Sequence, residues 1–299
     1  MSAVRLLVGN MLPGTFFHYG EPLMKFWNIE QRDGVVVAAY NNPPTNYLVA
    51  DATGELAALI ETWRAPGVRA VVLTGAVPER YITHYSVEEL VAWDGAPDKL
   101  RAMAYGMING YHTLLRSLAY LDTPVVVAMT GDTMGAGLEL SLNCDIRVAQ
   151  RGDFRIGFPE VALGILTGTG SQLLARIIGH GRAMDFLMRS RTVDPQGALD
   201  LGIVTELADD ARARAIEIAE GLARLSPVSV IGAKRAINRG ANLPIEEGLR
   251  IEAEEWLKTI VTPEAMALMK DYVSQPFAER RAWIRAHGVP PAAGAAVGA

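Results

Sequence analysis

The most restrictive feature of the chain is a pair of short, largely apolar runs, Val68–Thr74 (with Arg69 near its start) and Val125–Met129, with a long connection between them. A strand that is apolar on both faces must be covered on both, which is the situation of a central strand in a parallel sheet. Parallel neighbours need crossover connections of a dozen or more residues, usually helical and right-handed. The intervening residues can supply them. Ser86 is a good N-cap with Glu89 one turn later, and Lys99–Tyr120 has the spacing of a long amphipathic helix. Asp145–Ala149 reads as a further strand, so the fold class is α/β with a mostly parallel sheet.

Upstream, Phe26–Glu30 and Val35–Tyr40 flank the turn-like Arg32-Asp33-Gly34 and predict a β-hairpin. Asn41-Asn42-Pro43-Pro44 stops the second strand, and a helix from near Ala50 to Arg64 places Leu56, Leu59, Ile60 and Trp63 on one face. After Gly168 strand signals nearly vanish, and helical patterns dominate from Gln172 to Trp283. The expected organisation is an N-terminal extension over 1–25, an α/β core over 26–205, a helical region over 206–288 and a disordered Ala/Gly/Pro/Val tail over 289–299.

Composition narrows the function. A net charge of −5 over 299 residues argues against a general nucleic-acid binder. Cys144 is the only cysteine, so no intramolecular disulfide can form, and no run approaches the roughly 20 apolar residues of a membrane helix. Without a signal-peptide cleavage pattern, the expectation is a cytoplasmic protein with no membrane partner. His18, His112, His180 and His287 show no metal-ligand spacing, and no metal is expected.

Two stretches carry the chemistry. Gly131-Asp132-Thr133-Met134-Gly135-Ala136-Gly137-Leu138-Glu139 follows a buried strand and opens a helix, so a ligand can approach the main chain closely and meet free N–H groups. Turns of this kind also arise for packing alone. In Gly157-Phe158-Pro159-Glu160-Val161-Ala162-Leu163-Gly164-Ile165, a carboxylate stands within an apolar run. Burial there would raise its pKa and let it hold a proton near neutrality. A loop carboxylate with an ordinary partner is the plainer reading of Glu160 taken by itself.

Together, and in this order, these stretches resemble the enoyl-CoA hydratase/isomerase family, the crotonase superfamily. Asn42-Pro43-Pro44-Thr45-Asn46, Val68-Arg69-Ala70-Val71-Val72-Leu73-Thr74-Gly75, Ala198-Leu199-Asp200-Leu201-Gly202-Ile203-Val204, and Ser226-Pro227 followed by Ala233-Lys234-Arg235-Ala236-Ile237-Asn238 fit the same pattern, over roughly residues 26 to 260. The resemblance implies a crotonase-like spiral of ββα units with a helical C-terminal trimerisation region, giving a homotrimer or a dimer of trimers. It implies an acyl-CoA thioester substrate, coenzyme A entering only as part of that substrate, with no separate cofactor. The thioester oxygen would be held by two backbone N–H groups, at Ala136 and Tyr85. Glu139 and Glu160 match both family glutamates that position water and move the proton. Retention of both points to hydration of a 2-enoyl-CoA. Double-bond isomerisation, carbon–carbon hydrolysis of a β-diketone and a non-catalytic oligomeric scaffold are the alternatives.

The chain departs from the family where Phe-x-x-Gly-Ala-Asp-Leu is usual. It has Tyr81-Ile82-Thr83-His84-Tyr85-Ser86-Val87, which sets two bulky side chains beside the ligand path. His84 is either a loop histidine turned to solvent or packed on Trp93, or a general acid/base or oxyanion donor. Gly135, Gly137 and Gly168 are further candidate substrate contacts. Lys258, Lys270, Arg280, Arg281 and Arg285 could meet CoA phosphates across a subunit boundary, or form solvated helix faces.

Overall fold

The computed structural model describes residues 24–289, so most of the expected N-terminal extension and the tail from residue 290 lie outside the described residues. Strands β1 (Trp27–Arg32) and β2 (Val35–Tyr40) pair antiparallel, with Arg32 opposite Val35. Asp33 and Gly34 between them both have positive φ, 36° and 84°, as a two-residue type I′ hairpin turn requires. Helix α1 (Ala50–Thr62) returns the chain to β3 (Ala70–Gly75), parallel to β2. Helices α2 (Val87–Val91) and α3 (Pro97–Ala119) cross over to β4 (Val125–Met129). The Ser86 hydroxyl accepts from the Glu89 N–H, the cap that the sequence predicts.

The chain continues through β5 (Thr133–Met134), α4 (Ala136–Leu142), β6 (Ile146–Gln150) and β7 (Ile156–Gly157). A 3-10 turn at Glu160–Leu163 precedes α5 (Gly170–Ile178) and α6 (His180–Met188). Then come β8 (Thr192–Val193), α7 (Pro195–Asp200) and β9 (Glu206–Ala208). Helices α8 (Ala211–Arg224), α9 (Pro227–Gly240), α10 (Ile245–Ile260), α11 (Pro263–Ser274) and α12 (Arg280–His287) complete the described chain.

The main sheet has the order β1-β2-β3-β4-β6-β9, parallel throughout except for the hairpin. A second sheet, β5-β7-β8, pairs β5 with β7 in parallel and β7 with β8 antiparallel. Strands β8 and β9 correct the expectation that strand structure fades after Gly168. Each is too short for a period-2 pattern to show, and both are largely half-exposed, so neither has an apolar run to announce it.

Strand alternation sorts the core into two layers. Val36, Ala38, Val71, Leu73, Val125 and Val127 face α1, the end of α3, and α4. Val35, Val37, Ala70, Val72, Val126, Ala128 and Val148 face α8, which presents Ala211, Ala215 and Ala219 along one stripe. Small residues at this spacing let the helix lie close on the sheet. The first helix of the C-terminal region is therefore the back wall of the sheet.

Buried polar contacts fasten α9 to the end of α3 and the start of β4. Lys234 Nζ donates to Asp145 Oδ2 (2.7 Å) and to the carbonyls of Thr123 (3.0 Å) and Leu118 (3.3 Å). Arg235 pairs with Asp122, and the Asn238 amide donates to the Ala119 carbonyl. By contrast Ile245, Leu249, Trp256, Leu257 and Val261 of the α10 segment, and Met266 and Val273 of α11, stand exposed. No helix among the described residues is long and apolar enough to cross a membrane.

Removing one partner of a buried ion pair strands the other. Lys234→Ala should lower unfolding free energy by about 3 kcal/mol, read from urea denaturation. A loss below about 1 kcal/mol, the scale of a surface pair, would show that this contact does not anchor α9.

Candidate active site

The site lies where the loops after β2, β3, β4 and β6 meet at the carboxyl edge of the main sheet. Residues 81–86, after β3, are held on both sides. The Asn46 amide nitrogen donates to the Tyr81 carbonyl, and Thr83 N donates to Asn46 O (3.3 Å). Leu48 N donates to His84 O (2.7 Å), and Ser86 N to Leu48 O (2.8 Å). On the other flank, Met134 N donates to Thr83 O (3.1 Å), and Gly135 N to Gly157 O (3.0 Å). The expected donors, Tyr85 N–H and Ala136 N–H, accordingly belong to neighbouring segments of one laddered surface. Among the described residues neither has a hydrogen-bond partner.

Gly135 has φ 49° and ψ −119°, a backbone that disfavours any side chain. A Cβ there would collide with Glu160 Oε1 and would lie 2.7 Å from His84 Nε2. The imidazole and the carboxylate therefore converge over this glycine. A Cβ on Gly137 would strike the Ile82 carbonyl, so Gly137 serves the packing of α4 on the 81–86 loop. Gly168 faces Tyr111 and Glu139, and its carbonyl lies 2.8 Å from His112 Nε2.

Glu139 and Glu160 are both buried. One oxygen of Glu139 accepts from the N–H groups of Thr169 and Gly170 (2.9 Å for Gly170), at the start of α5, and the other from the Tyr111 hydroxyl (3.2 Å). Burial raises the Glu139 pKa above the usual carboxylate range. The two N–H groups and Tyr111 oppose that rise without cancelling it, and the nearby Glu160 charge adds to it. Burial likewise pushes the Tyr111 hydroxyl well above the usual phenol range.

His84 is buried, with Nδ1 2.9 Å from the Tyr85 carbonyl and Nε2 3.4 Å from Glu160 Oε1. This corrects the reading of His84 as a ring turned to solvent or packed on Trp93. The Tyr85 carbonyl fixes one nitrogen, and Gly135 leaves room for the other to reach Glu160. Burial disfavours a charged ring. The Glu160 carboxylate, the Tyr85 carbonyl and the charge of Glu139 outweigh it and hold the His84 pKa above the ordinary histidine value.

The family profile described as Enoyl-CoA hydratase/isomerase matches residues 30–283. The chain belongs to this family. It is 29% identical over 252 residues to a short-chain-enoyl-CoA hydratase of Clostridium acetobutylicum, covering 83% of this chain and 94% of that protein. The enoyl-CoA hydratase of Bacillus anthracis superimposes with a TM-score of 0.75 at 28% identity, over 83% of this chain and 96% of that one. An enoyl-CoA hydratase/isomerase of Cupriavidus metallidurans does so with a TM-score of 0.78 at 26% identity, over 90% and 99%. The crotonase fold and an enzyme of the enoyl-CoA hydratase/isomerase family follow.

Sequence reasoning missed Tyr111, His112 and the N–H groups of Thr169 and Gly170. A faint signal existed for the first two, because Tyr111-His112 stands where α3 passes from its exposed half to its buried end. Among the basic residues, Lys258 pairs with Glu255 (2.6 Å), and Arg280 donates to the Val273 and Gln275 carbonyls.

Gly164 has φ 76° with open space around its missing Cβ, so it serves as a control. Gly164→Ala should cost about 1 kcal/mol of stability from backbone strain. Gly135→Ala should cost more than about 2 kcal/mol, because its methyl also displaces Glu160 and His84. Equal losses in urea unfolding would contradict the convergence over Gly135.

Proposed function

We propose that the protein is an enoyl-CoA hydratase-like lyase that adds water across the double bond of a 2-enoyl-CoA thioester. The observation that best supports it is the retention of two buried glutamates, Glu139 and Glu160, within one turn of α4 and directly over Gly135 respectively. The Ala136 and Tyr85 N–H groups receive the thioester oxygen as negative charge builds on it, each contributing about 3 kcal/mol to lowering the barrier. The carboxylates hold a water. Glu160 takes its proton as the oxygen bonds to C3, and Glu139, whose pKa burial raises, delivers a proton to C2 as the double bond is consumed. The two carboxyl groups then re-equilibrate with solvent. Coenzyme A enters only as part of the substrate, and no separate cofactor takes part.

A second reading is favoured by one observation, the contact of His84 with Glu160. A base at this point could direct water at a β-diketone, forming a bond from water oxygen to the carbonyl carbon while the carbon–carbon bond breaks and the enolate takes up the proton. Assay of one enoyl-CoA and one cyclic β-diketone by the wild type separates the readings. Diketone cleavage without hydration would replace the first with the second.

The exposed apolar stripe of Ile245, Leu249 and Ala253 supports assembly into a homotrimer or a dimer of trimers. Sedimentation should show that assembly at micromolar concentration, and a stable monomer would remove the claim. Glu139→Gln and Glu160→Gln should each reduce enoyl-CoA hydration by at least about 100-fold, with little change in thermal stability. Near-normal rates in both variants would overturn the hydratase reading.

A further inference from the structure

We infer that His84 is a positioning residue for Glu160, holding one carboxylate oxygen over Gly135 so that the other is left for the reacting water. The inference begins with proton placement. The Tyr85 carbonyl can only accept, so the His84 Nδ1 that meets it at 2.9 Å carries a hydrogen. In a neutral ring Nε2 would then turn a lone pair toward Glu160 Oε1, 3.4 Å away. Two acceptors do not face each other in a buried site, so a proton lies between them. At 3.4 Å the contact is an ion-pair approach rather than a made hydrogen bond, and contacts of this kind tighten when substrate fills a site.

The remaining oxygen gives the pair its use. Glu160 Oε2 is buried and has no partner among the described residues. A buried carboxylate oxygen left unpaired is costly unless a ligand or water completes it. Glu139 is the opposite case, with three donors on its two oxygens. The two glutamates are therefore unequal. Glu139 is fixed by the start of α5 and by Tyr111, whereas Glu160 is approached on one oxygen by His84 at 3.4 Å and open on the other.

The groups that face the His84 ring are few. Glu160 comes from the 3-10 turn, the charge of Glu139 reaches it from α4, and Tyr111 of α3 stands against Glu139. The Tyr85 hydroxyl turns away to Glu89 (2.6 Å) on α2. No Lys or Arg contacts the ring or Glu160 among the described residues, so the positive charge that matches Glu160 is the imidazolium itself. Since neighbours hold the His84 pKa above the ordinary histidine value, the ring carries its charge below that pKa and the pairing is lost as pH rises through it.

This inference rests on the hydratase reading for its reaction but not for its geometry, and the test separates them. Histidine-labelled protein is titrated by NMR, with the His84 resonance assigned from its absence in His84→Gln. The ring should titrate above the ordinary histidine value in wild type. It should move to lower pH in Glu160→Gln, with Glu160→Asp intermediate as a guard against misfolding of the first variant. In the hydration assay, His84→Gln should lower kcat up to about 100-fold with KM little changed, as for a misplaced catalytic group. It should also lose the alkaline fall in kcat that accompanies His84 deprotonation in wild type. A His84 titration unmoved by both Glu160 variants, or an unchanged pH profile and kcat in His84→Gln, would overturn the inference. Coupled titration in a wild type that hydrates no enoyl-CoA would support the pairing and overturn the hydratase reading instead.

Discussion

Parallel pairing of β2, β3, β4 and β6 is the constraint on which the site depends. Strands that run the same way release all their following loops at one edge, so residues far apart in sequence are delivered to one place. Those loops then carry main-chain polar groups that must be satisfied away from water. They solve this by pairing with each other. Residues 46–48 bond to 83–86, 83 bonds to 134, 135 bonds to 157, and 158 bonds to the Arg191 carbonyl beside β8. The small second sheet is the ordered centre of that ladder. Its rigidity comes from backbone bonds, which explains how the 81–86 loop keeps its path with side chains unusual for the family.

A second constraint is electrostatic. His84, Glu139 and Glu160 are buried around Gly135, where an unmatched charge is expensive. Each carboxylate is handled differently. Glu139 is met by N–H groups at the start of α5 and by a phenol, neutral donors that leave its pKa raised. Glu160 is met by a ring that can carry a full charge. Two chemically identical side chains thus stand among different neighbours, from which separate acid and base roles in one site can be built.

Much of the fold was legible because it depends on local pattern. The runs of β3 and β4 are apolar on both faces, the α2 cap is a Ser86–Glu89 pair, and the hairpin has its Asp33-Gly34 turn. Strands β8 and β9 were not legible. Their residues are ordinary in isolation and become strands only because Gly157 and Val148 offer edges to pair with. The covering of the sheet by α8 was equally hidden, since an Ala-rich stripe does not say which surface it fits. At the site, the family resemblance marked Glu139, Glu160 and the Gly-rich turn. It was silent on the partners of those residues, which come from α3 and the start of α5.

The departure at residue 84 shows why a local substitution must be read in three dimensions. A histidine in place of the usual glycine adds a ring to a crowded loop, and the loop cannot move aside because Leu48 holds the His84 carbonyl. The room comes from another glycine. Gly135 combines φ 49° with ψ −119°, which disfavours a side chain, and the ring lies over the space its missing Cβ leaves. The volume that the main-chain turn must leave empty is the volume in which the imidazole meets Glu160. Backbone conformation at one residue and side-chain chemistry at another are thereby coupled through a shared space. A scan of either position alone would register one as a steric requirement and the other as an odd loop histidine.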